Sequence, residues 1–131
     1  MLKLNKALYG LRQAPRAWNM RLDRSLKQFG FRRCAQEQAV YTRGSTNTRI
    51  IVGVYVDDLI VIGEDPVAIT DFKKQMMGEF EMSDLGFLTY YLGIEVEQQK
   101  AGITIKQSAY AKKVLDQFGM ASCNPMKIPM E

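Results

Sequence analysis

The chain is 131 residues long, with 18 lysines and arginines against 14 aspartates and glutamates and no histidine. This length predicts one domain, and a composition of 47% apolar and 24% charged residues is typical of a globular chain. The only two cysteines, Cys34 and Cys123, stand in no metal-ligand spacing. The lack of histidine argues against a zinc site and against a Ser-His or Cys-His catalytic pair. Any chemistry must therefore come from carboxylates, bases, hydroxyls or thiols.

The positive charge is concentrated in the first part of the sequence. Residues 1–49 hold eleven basic and two acidic residues, whereas residues 50–131 hold seven basic and twelve acidic ones. A basic arm of net charge +9 joined to an acidic body of −5 indicates a polyanionic partner and a metal. The ordinary alternative, which charge alone favours, is a solvated basic helix face that keeps a small domain soluble.

The sequence contains no segment suited to a membrane or to secretion. The longest apolar run, Ile50–Val56, is far shorter than the ~20 residues that span a bilayer. Met1–Lys6 lacks an apolar segment followed by a small-residue cleavage site, so no signal peptide is predicted. We expect no membrane partner and a chain that is not secreted, with unpaired thiols in a reducing compartment.

The first predicted helix begins at Gln13–Pro15, because a proline in the first turn of a helix costs no hydrogen bond. Apolar residues then follow at spacings of four, four and three and form one stripe: Trp18, Leu22, Leu26 and Phe29. Gly30 ends the helix. The basic residues of this segment fall mostly off the stripe, which predicts an amphipathic helix with a basic outer face.

A β-hairpin follows the turn cluster Gly44–Thr48. Its strands are the β-branched runs Arg49–Val56 and Leu59–Ile62, which are separated only by Asp57–Asp58. Both runs are apolar on alternate faces as well. We therefore expect the hairpin to be buried on both sides, or nearly so.

The second half of the chain repeats the order of helix and strand pair. Asp65–Pro66 is an N-cap followed by a proline. The buried stripe of this second helix is expected to be Ile69, Phe72, Met76 and Phe80. A second β pair is predicted over Thr89–Val96 and Ile103–Ile105, joined around Lys100–Gly102.

A last helix is predicted to be capped by Ser108 and to end at Gly119. Its buried residues are expected to be Tyr110, Val114, Leu115 and Phe118. Pro125 and Pro129 indicate an extended tail that stops at Glu131 without a structural terminus, which suggests a truncated chain. The whole order predicts an α+β domain, with one antiparallel sheet carrying helices on one face.

Two adjacent aspartates, Asp57 and Asp58, form the predicted connection between the hairpin strands. A two-residue turn usually takes Asn-Gly or Asp-Gly, because both positions adopt positive φ. Two like charges without a glycine repel each other unless a cation neutralises them, and hard divalent ions such as Mg²⁺ bind carboxylate oxygens. We therefore predict metal binding here. The alternative is an acidic turn that only solvates the hairpin, for which one aspartate and a glycine would suffice.

Two segments of the sequence contain recognisable motifs, Tyr55–Asp58 and Leu8–Trp18. They resemble, respectively, the YxDD motif and the motif B segment of copia-type LTR retrotransposon reverse transcriptases. Tyr91–Glu95 resembles the primer grip, and Phe80–Gly86 the segment before it. Two further segments are similar to the start of the connection region: Gln107–Tyr110 and Phe118–Met120. The resemblance covers nearly the whole chain.

The resemblance implies nucleotidyl transfer by two Mg²⁺ (or Mn²⁺) ions held by carboxylates. Asp57 is then the principal catalytic metal ligand and Asp58 its weaker neighbour. The residues implied to bind nucleotide or template are Tyr55, Gly10, Arg12, Gln13 and Pro15. The residues implied to grip the primer backbone are Tyr91, Leu92 and Gly93.

The sequence departs from the family in one respect. The family's first catalytic aspartate lies well upstream of motif B, and no acidic residue precedes Asp23 here. We therefore expect this chain to be a fragment that is inactive in isolation. Residues 1–107 would be the C-terminal part of a polymerase palm, and residues 108–131 the start of the connection region with a truncated tail.

The expected partners belong to the complete enzyme. They are an RNA or DNA template–primer, a dNTP, and the upstream fingers and palm and downstream RNase H of the same polyprotein. The expected location is cytoplasmic, in a retrotransposon particle, or nuclear. Two alternatives stay open: a non-enzymatic remnant that binds nucleic acid through its basic helix, and a truncated gene product without function, whose unpaired hairpin edge would promote aggregation.

Overall fold

The computed structural model describes residues 6–124, which form two compact units, residues 6–84 and residues 85–124. The helices are Ala14–Gln28 (α1), Pro66–Glu79 (α2) and Ser108–Gln117 (α3). The strands are Arg32–Arg33 (β1), Val40–Arg43 (β2), Ile50–Tyr55 (β3), Asp58–Gly63 (β4), Tyr90–Tyr91 (β5), Ile94–Gln99 (β6) and Gly102–Lys106 (β7). The tail predicted around Pro125 and Pro129 lies outside the described residues.

The first unit is built on a four-stranded antiparallel sheet of order β1-β2-β3-β4. The predicted hairpin is confirmed, since β3 and β4 pair from Ile50 with Gly63 to Tyr55 with Asp58. The short strands β1 and β2 were not predicted, and they extend the sheet on the β3 side. Within the described part of the chain, β4 is therefore an edge strand, as expected for the hairpin.

Helices α1 and α2 pack on one face of this sheet and enclose the core. The predicted α1 stripe is confirmed at Leu22 and Leu26, which are 1% and 0% exposed, while Trp18 and Phe29 are half-buried against the core. Gly30 ends the helix with φ +83°, a value that glycine adopts without a steric penalty. The buried core residues are Leu22, Leu26, Phe31, Tyr41, Ile50, Val52, Phe72, Met76 and Phe80.

The hairpin buries only one of its two faces, so the prediction of burial on both sides was wrong. Ile50 and Val52 lie on the core face, whereas Ile62 on the opposite face is 57% exposed. An antiparallel sheet needs only one covered face to be stable. The β-branched residues of the other face therefore reflect strand propensity and do not report burial.

Helix α2 begins as its sequence predicted, and of its predicted buried stripe only Ile69 is half-buried instead of buried. The Asp65 Oδ1 accepts a hydrogen bond from the backbone N–H of Val67 at 2.9 Å, which caps the helix before Pro66. Phe72 and Met76 are buried in the core, as is Phe80 directly after the helix. No helix within residues 6–124 is long and apolar enough to cross a membrane.

The second unit has its own three-stranded antiparallel sheet, of order β5-β6-β7. The strand predicted over Thr89–Val96 was wrong, because the chain reverses at Leu92 and Gly93 and Tyr91 pairs with Ile94. Leu92 and Gly93 have φ of +50° and +84°. Positive φ at both positions is the geometry of a two-residue hairpin that fits the twist of its strands.

Of the four residues predicted to be buried in or directly after helix α3, Val114 is half-buried and the other three are exposed, so the prediction was wrong for those three. Tyr110, Leu115 and Phe118 are 61%, 44% and 69% exposed. The predicted Ser108 cap was also wrong: Ser108 is the first helical residue, and Glu95 Oε1 of β6 accepts the N–H of Ala109 at 2.7 Å. The amphipathic pattern of this segment thus predicted the helix but not the exposure of most of its apolar side chains.

These features confirm an α+β class but divide the one predicted sheet into two. Each sheet is antiparallel, and in the first unit both helices contribute to the same core. The division between units falls after Asp84. The functional boundary between residues 107 and 108 rests on the resemblance and stays a prediction.

Candidate catalytic hairpin

The connection between β3 and β4 consists of Val56 and Asp57, not of the two aspartates. Tyr55 pairs with Asp58, which makes Asp58 the first residue of β4. The predicted connection of Asp57 and Asp58 was wrong because Val56 has φ +55°, a conformation that β-branched residues rarely adopt. Asp57 thus lies in the turn, and Asp58 shares with Tyr55 the sheet face opposite the core.

Asp57 and Asp58 are both exposed, and within residues 6–124 neither takes part in an ion pair. Carboxylate oxygens are the donors that Mg²⁺ and Mn²⁺ prefer, and Mg²⁺ often takes only one or two of them from a protein. The pair therefore fits a divalent ion as a partial ligand set. Across the described residues, no three acidic or thiol side chains are grouped closely enough to hold a metal on their own.

The start of α1 lies beside this turn. The indole Nε1–H of Trp18 donates a hydrogen bond to the Val56 carbonyl oxygen at 2.6 Å. Pro15 lies three residues before Trp18 and therefore on the same helix face, about one turn towards the N-terminus. The structure thus brings the segment that resembles motif B to the segment that resembles YxDD.

The residues before α1 form an exposed turn. Gly10 has φ +89°, and a Cβ atom there would meet no atom within 4 Å. Arg12, Gln13 and Pro15 are exposed as well. The Gln13 carbonyl accepts the N–H of Ala17 at 3.1 Å, so the helix begins directly after this turn. Four of the residues predicted to bind nucleotide or template therefore share one accessible segment.

Behind Trp18, the C-terminal end of α2 supports the indole ring. The rings of Trp18 and Phe80 meet edge to face at 5.3 Å and 75°. The guanidinium of Arg21 lies 5.0 Å from the Phe80 ring centre, and Arg21 Nη2 donates to the Glu79 carbonyl at 3.1 Å. The sequence did not predict the hydrogen bond from Trp18 to Val56. The only available signal was that a tryptophan N–H on a helix stripe needs an acceptor.

Part of the basic arm stabilises the fold instead of facing solvent. The Arg43 guanidinium lies 4.8 Å from the Phe31 ring centre, and its Nη1 donates to the Phe29 carbonyl at 2.9 Å. Arg33 lies 5.3 Å from the Tyr41 ring centre. In the described part of the chain, five arginines are exposed and form no ion pair: Arg12, Arg16, Arg24, Arg32 and Arg49.

Asp23 of α1 is held by the side chains of two neighbouring residues. Its carboxylate accepts hydrogen bonds from Lys27 Nζ at 2.8 Å and from Tyr41 Oη at 2.9 Å. The hydrogen bond from Lys27 lowers the pKa of Asp23. Burial, with the Asp23 hydrogen bond second, raises the pKa of Tyr41 to about 12.

The predicted primer-grip residues lie in the second unit, at the β5–β6 hairpin. Tyr91 is half-buried and closes the turn against Ile94, whereas Leu92 is 52% exposed. Gly93 has open space where a Cβ would stand. The hairpin thus presents a half-buried glycine and an exposed apolar side chain, and its role towards a primer stays a prediction.

Comparison with known proteins identifies the class. A family model described as "Reverse transcriptase (RNA-dependent DNA polymerase)" matches residues 1–131, and the chain belongs to this family. It is 35% identical over 131 residues to a retrovirus-related Pol polyprotein from transposon TNT 1-94 of Nicotiana tabacum, and 33% identical over 128 residues to one from transposon RE1 of Arabidopsis thaliana. These alignments cover 98% of the chain but only 10% and 9% of the relatives.

The chain is also similar to a shorter transposon protein. The putative transposon Ty5-1 protein of Saccharomyces cerevisiae is 35% identical over 112 residues, which are 85% of the chain and 36% of that protein. No solved structure matches the chain. The resemblance to copia-type reverse transcriptases is confirmed, and the chain spans about a tenth of the length of the first relatives.

Proposed function

We propose that this chain supplies the metal-binding hairpin and the nucleotide-facing helix start of an RNA-directed DNA polymerase. The observation that carries the proposal is the Trp18 hydrogen bond to Val56, because it joins two segments that are separated by 38 residues and that separately resemble polymerase motifs. A polymerase site needs carboxylates and a nucleotide-binding surface side by side, and this contact supports that arrangement.

In this proposal each residue has a distinct task. Asp57 in the turn is the principal ligand of two Mg²⁺ or Mn²⁺ ions and Asp58 is its weaker neighbour; the bound ions supply charge neutralisation for phosphoryl transfer. Pro15 and Gln13 line the surface under the incoming nucleotide, and Gly10 allows close backbone approach. Every one of these groups is exposed, so a substrate can reach them.

The remaining proposed substrate contacts are one charged contact, made by Arg12, and several packing contacts. Arg12 offers a guanidinium, free of ion pairs among residues 6–124, to the phosphates of the dNTP or template. Tyr55, which is 50% exposed beside Asp58, packs near the last template–primer base pair. The primer backbone contacts Tyr91, Leu92 and Gly93 of the second unit.

We further propose that the chain does not polymerise DNA by itself. The resemblance implies a further catalytic aspartate upstream of motif B, and the described residues provide no third carboxylate at the turn in its place. The additional aspartate, the fingers and the RNase H belong to other parts of the Pol polyprotein. Activity therefore requires the upstream segment of the same polyprotein.

Primer extension on poly(rA)–oligo(dT) with Mg²⁺ or Mn²⁺ tests both statements. The chain alone should incorporate no nucleotide, while a chain extended upstream to include the missing aspartate should do so. Asp57→Asn should abolish that incorporation, and Glu64→Gln, at an exposed carboxylate just beyond the other end of β4, should leave it unchanged. Incorporation by the chain alone that Asp57→Asn removes would contradict the proposed dependence. Template binding without extension by the longer chain would favour a binding remnant.

A further inference from the structure

We propose that Trp18 is a positioning residue that fixes the turn bearing Asp57 through its hydrogen bond to the Val56 carbonyl. The inference rests on the proposed function of Asp57. The donor and acceptor are 2.6 Å apart, and they connect the first half of α1 to the turn between β3 and β4. Trp18 itself touches no reacting group in this account and acts through the backbone of Val56.

The turn needs such a support because of its own conformation. Val56 has φ +55°, and branching at Cβ makes this region unfavourable. A strained residue persists only where its surroundings determine its backbone. The Val56 side chain is 62% exposed and so provides little packing of its own. The hydrogen bond to its carbonyl oxygen supplies the missing constraint and orients the peptide that leads into Asp57.

The ring of Trp18 makes a second contact, on the side of the core. Phe80 meets it edge to face at 5.3 Å, and Phe80 is 7% exposed. The backbone N–H of Phe80 donates to the Met76 carbonyl at 2.8 Å, which ties the ring to the end of α2. The ring packing against Phe80 and the N–H contact to the turn are therefore separate interactions of Trp18, and a substitution can weaken the first while keeping the second.

Backbone geometry at Val56 is the direct readout, measured on the chain in solution by the three-bond coupling between the Val56 amide and Hα protons. Trp18→Phe keeps an aromatic ring but removes the N–H, and it should move this coupling towards the value of extended backbone. The matched control is Phe80→Leu, which removes the ring behind the indole but keeps the indole N–H. It should lower the melting temperature without a comparable change in the coupling.

A second substitution tests whether the lost hydrogen bond acts through φ. In the Trp18→Phe background, Val56→Gly allows positive φ without the penalty of a Cβ. In the upstream-extended chain, Trp18→Phe should lower kcat between about ten- and a hundredfold with little change in KM. Adding Val56→Gly should recover part of that loss.

The outcomes separate this inference from the proposed function. An unchanged Val56 coupling in Trp18→Phe, or an equal change in Phe80→Leu, overturns the positioning role. A changed coupling in Trp18→Phe without a comparable change in Phe80→Leu supports it, and partial recovery of kcat by Val56→Gly adds to that support. If the coupling changes but Asp57→Asn still extends primers fully, the positioning of the turn stands and the proposed catalytic role of Asp57 is what fails.

Discussion

The two units differ in how they use similar apolar patterns. Every buried side chain in the described residues belongs to the first unit, where α1 and α2 face a four-stranded sheet. In the second unit Ile103, Ile105 and Phe118 are 68%, 68% and 69% exposed. Periodicity therefore predicts that a helix or strand forms, whereas burial depends on whether a second layer is present to cover it.

The two tight turns show a related contrast. The turn at Leu92–Gly93 has a glycine at one of its two positive-φ positions, so the local sequence suits the local geometry. The turn at Val56–Asp57 has valine at positive φ and depends on Trp18, a residue distant in sequence. Strain that is held by a distant contact is common at functional sites, and here it occurs beside the proposed metal ligands.

The largest expected effect tests the contrast in burial. Leu26→Ala removes a side chain that is 0% exposed and leaves a cavity in the core, which typically costs 2–5 kcal/mol, so we expect about 3 kcal/mol. The matched change Leu115→Ala removes a side chain that is 44% exposed in α3, and it should cost less than about 1 kcal/mol. Urea denaturation followed by circular dichroism measures both. Equal losses would mean that α3 is covered in solution and would break the comparison.

The next effect depends on the buried tyrosine of the first unit. The pKa of Tyr41 is raised from 10.0 to about 12, so the folded state favours the neutral phenol. Its contribution to stability is fully present below pH 10 and is lost as the pH rises towards 12. A shift of this size corresponds to roughly 2–3 kcal/mol. Tyr41→Phe should remove this alkaline loss in urea titrations between pH 9 and 12.

An exposed tyrosine of the second unit provides the control for that titration. Tyr90 is 63% exposed, and Tyr90→Phe should leave the alkaline loss in place. A pH profile that Tyr41→Phe leaves unchanged would show that other groups determine the alkaline transition.

At acidic pH, the Lys27 hydrogen bond lowers the pKa of Asp23. The contribution of Asp23 to the free energy of unfolding is therefore present above about pH 3.8 and is lost as the pH falls further.

Several elements follow from local sequence alone. The Asp65–Pro66 start of α2, the Gly30 end of α1 and the β3–β4 pair were predicted, because capping, glycine conformation and β-branching act over a few residues. The short strands β1 and β2 were missed, since strands of 2 and 4 residues are too short to show a period. Burial of α3 was mispredicted because it depends on a partner layer.

Part of the candidate site could likewise be predicted from the sequence, and part could not. Adjacent aspartates between apolar runs indicated metal binding, and the order of motifs indicated a polymerase family, which the comparisons confirmed. The exact turn could not be found from the sequence, because nothing local to Val56 favours positive φ. What makes that φ possible is a hydrogen bond from Trp18, and a contact across 38 residues has no local signature.

The smallest expected effect tests the contrast between the turns. Val56→Gly removes the penalty of an L side chain at φ +55° but adds freedom to the unfolded chain. These terms nearly cancel, and we expect a net gain of about 0.5 kcal/mol, measured by urea denaturation. Gly93→Ala, at φ +84°, should instead cost about 1 kcal/mol, because alanine brings the same penalty without any gain.

Val56→Ala is the control that separates side-chain loss from backbone relief. It removes the methyl groups of a residue that is 62% exposed while keeping a Cβ at positive φ, so stability should change by less than about 0.5 kcal/mol. A gain in Val56→Gly that Val56→Ala does not share assigns the effect to backbone conformation. A loss of stability in both variants would instead show that the Val56 side chain packs in solution, and the two turns would then differ in packing and not in strain.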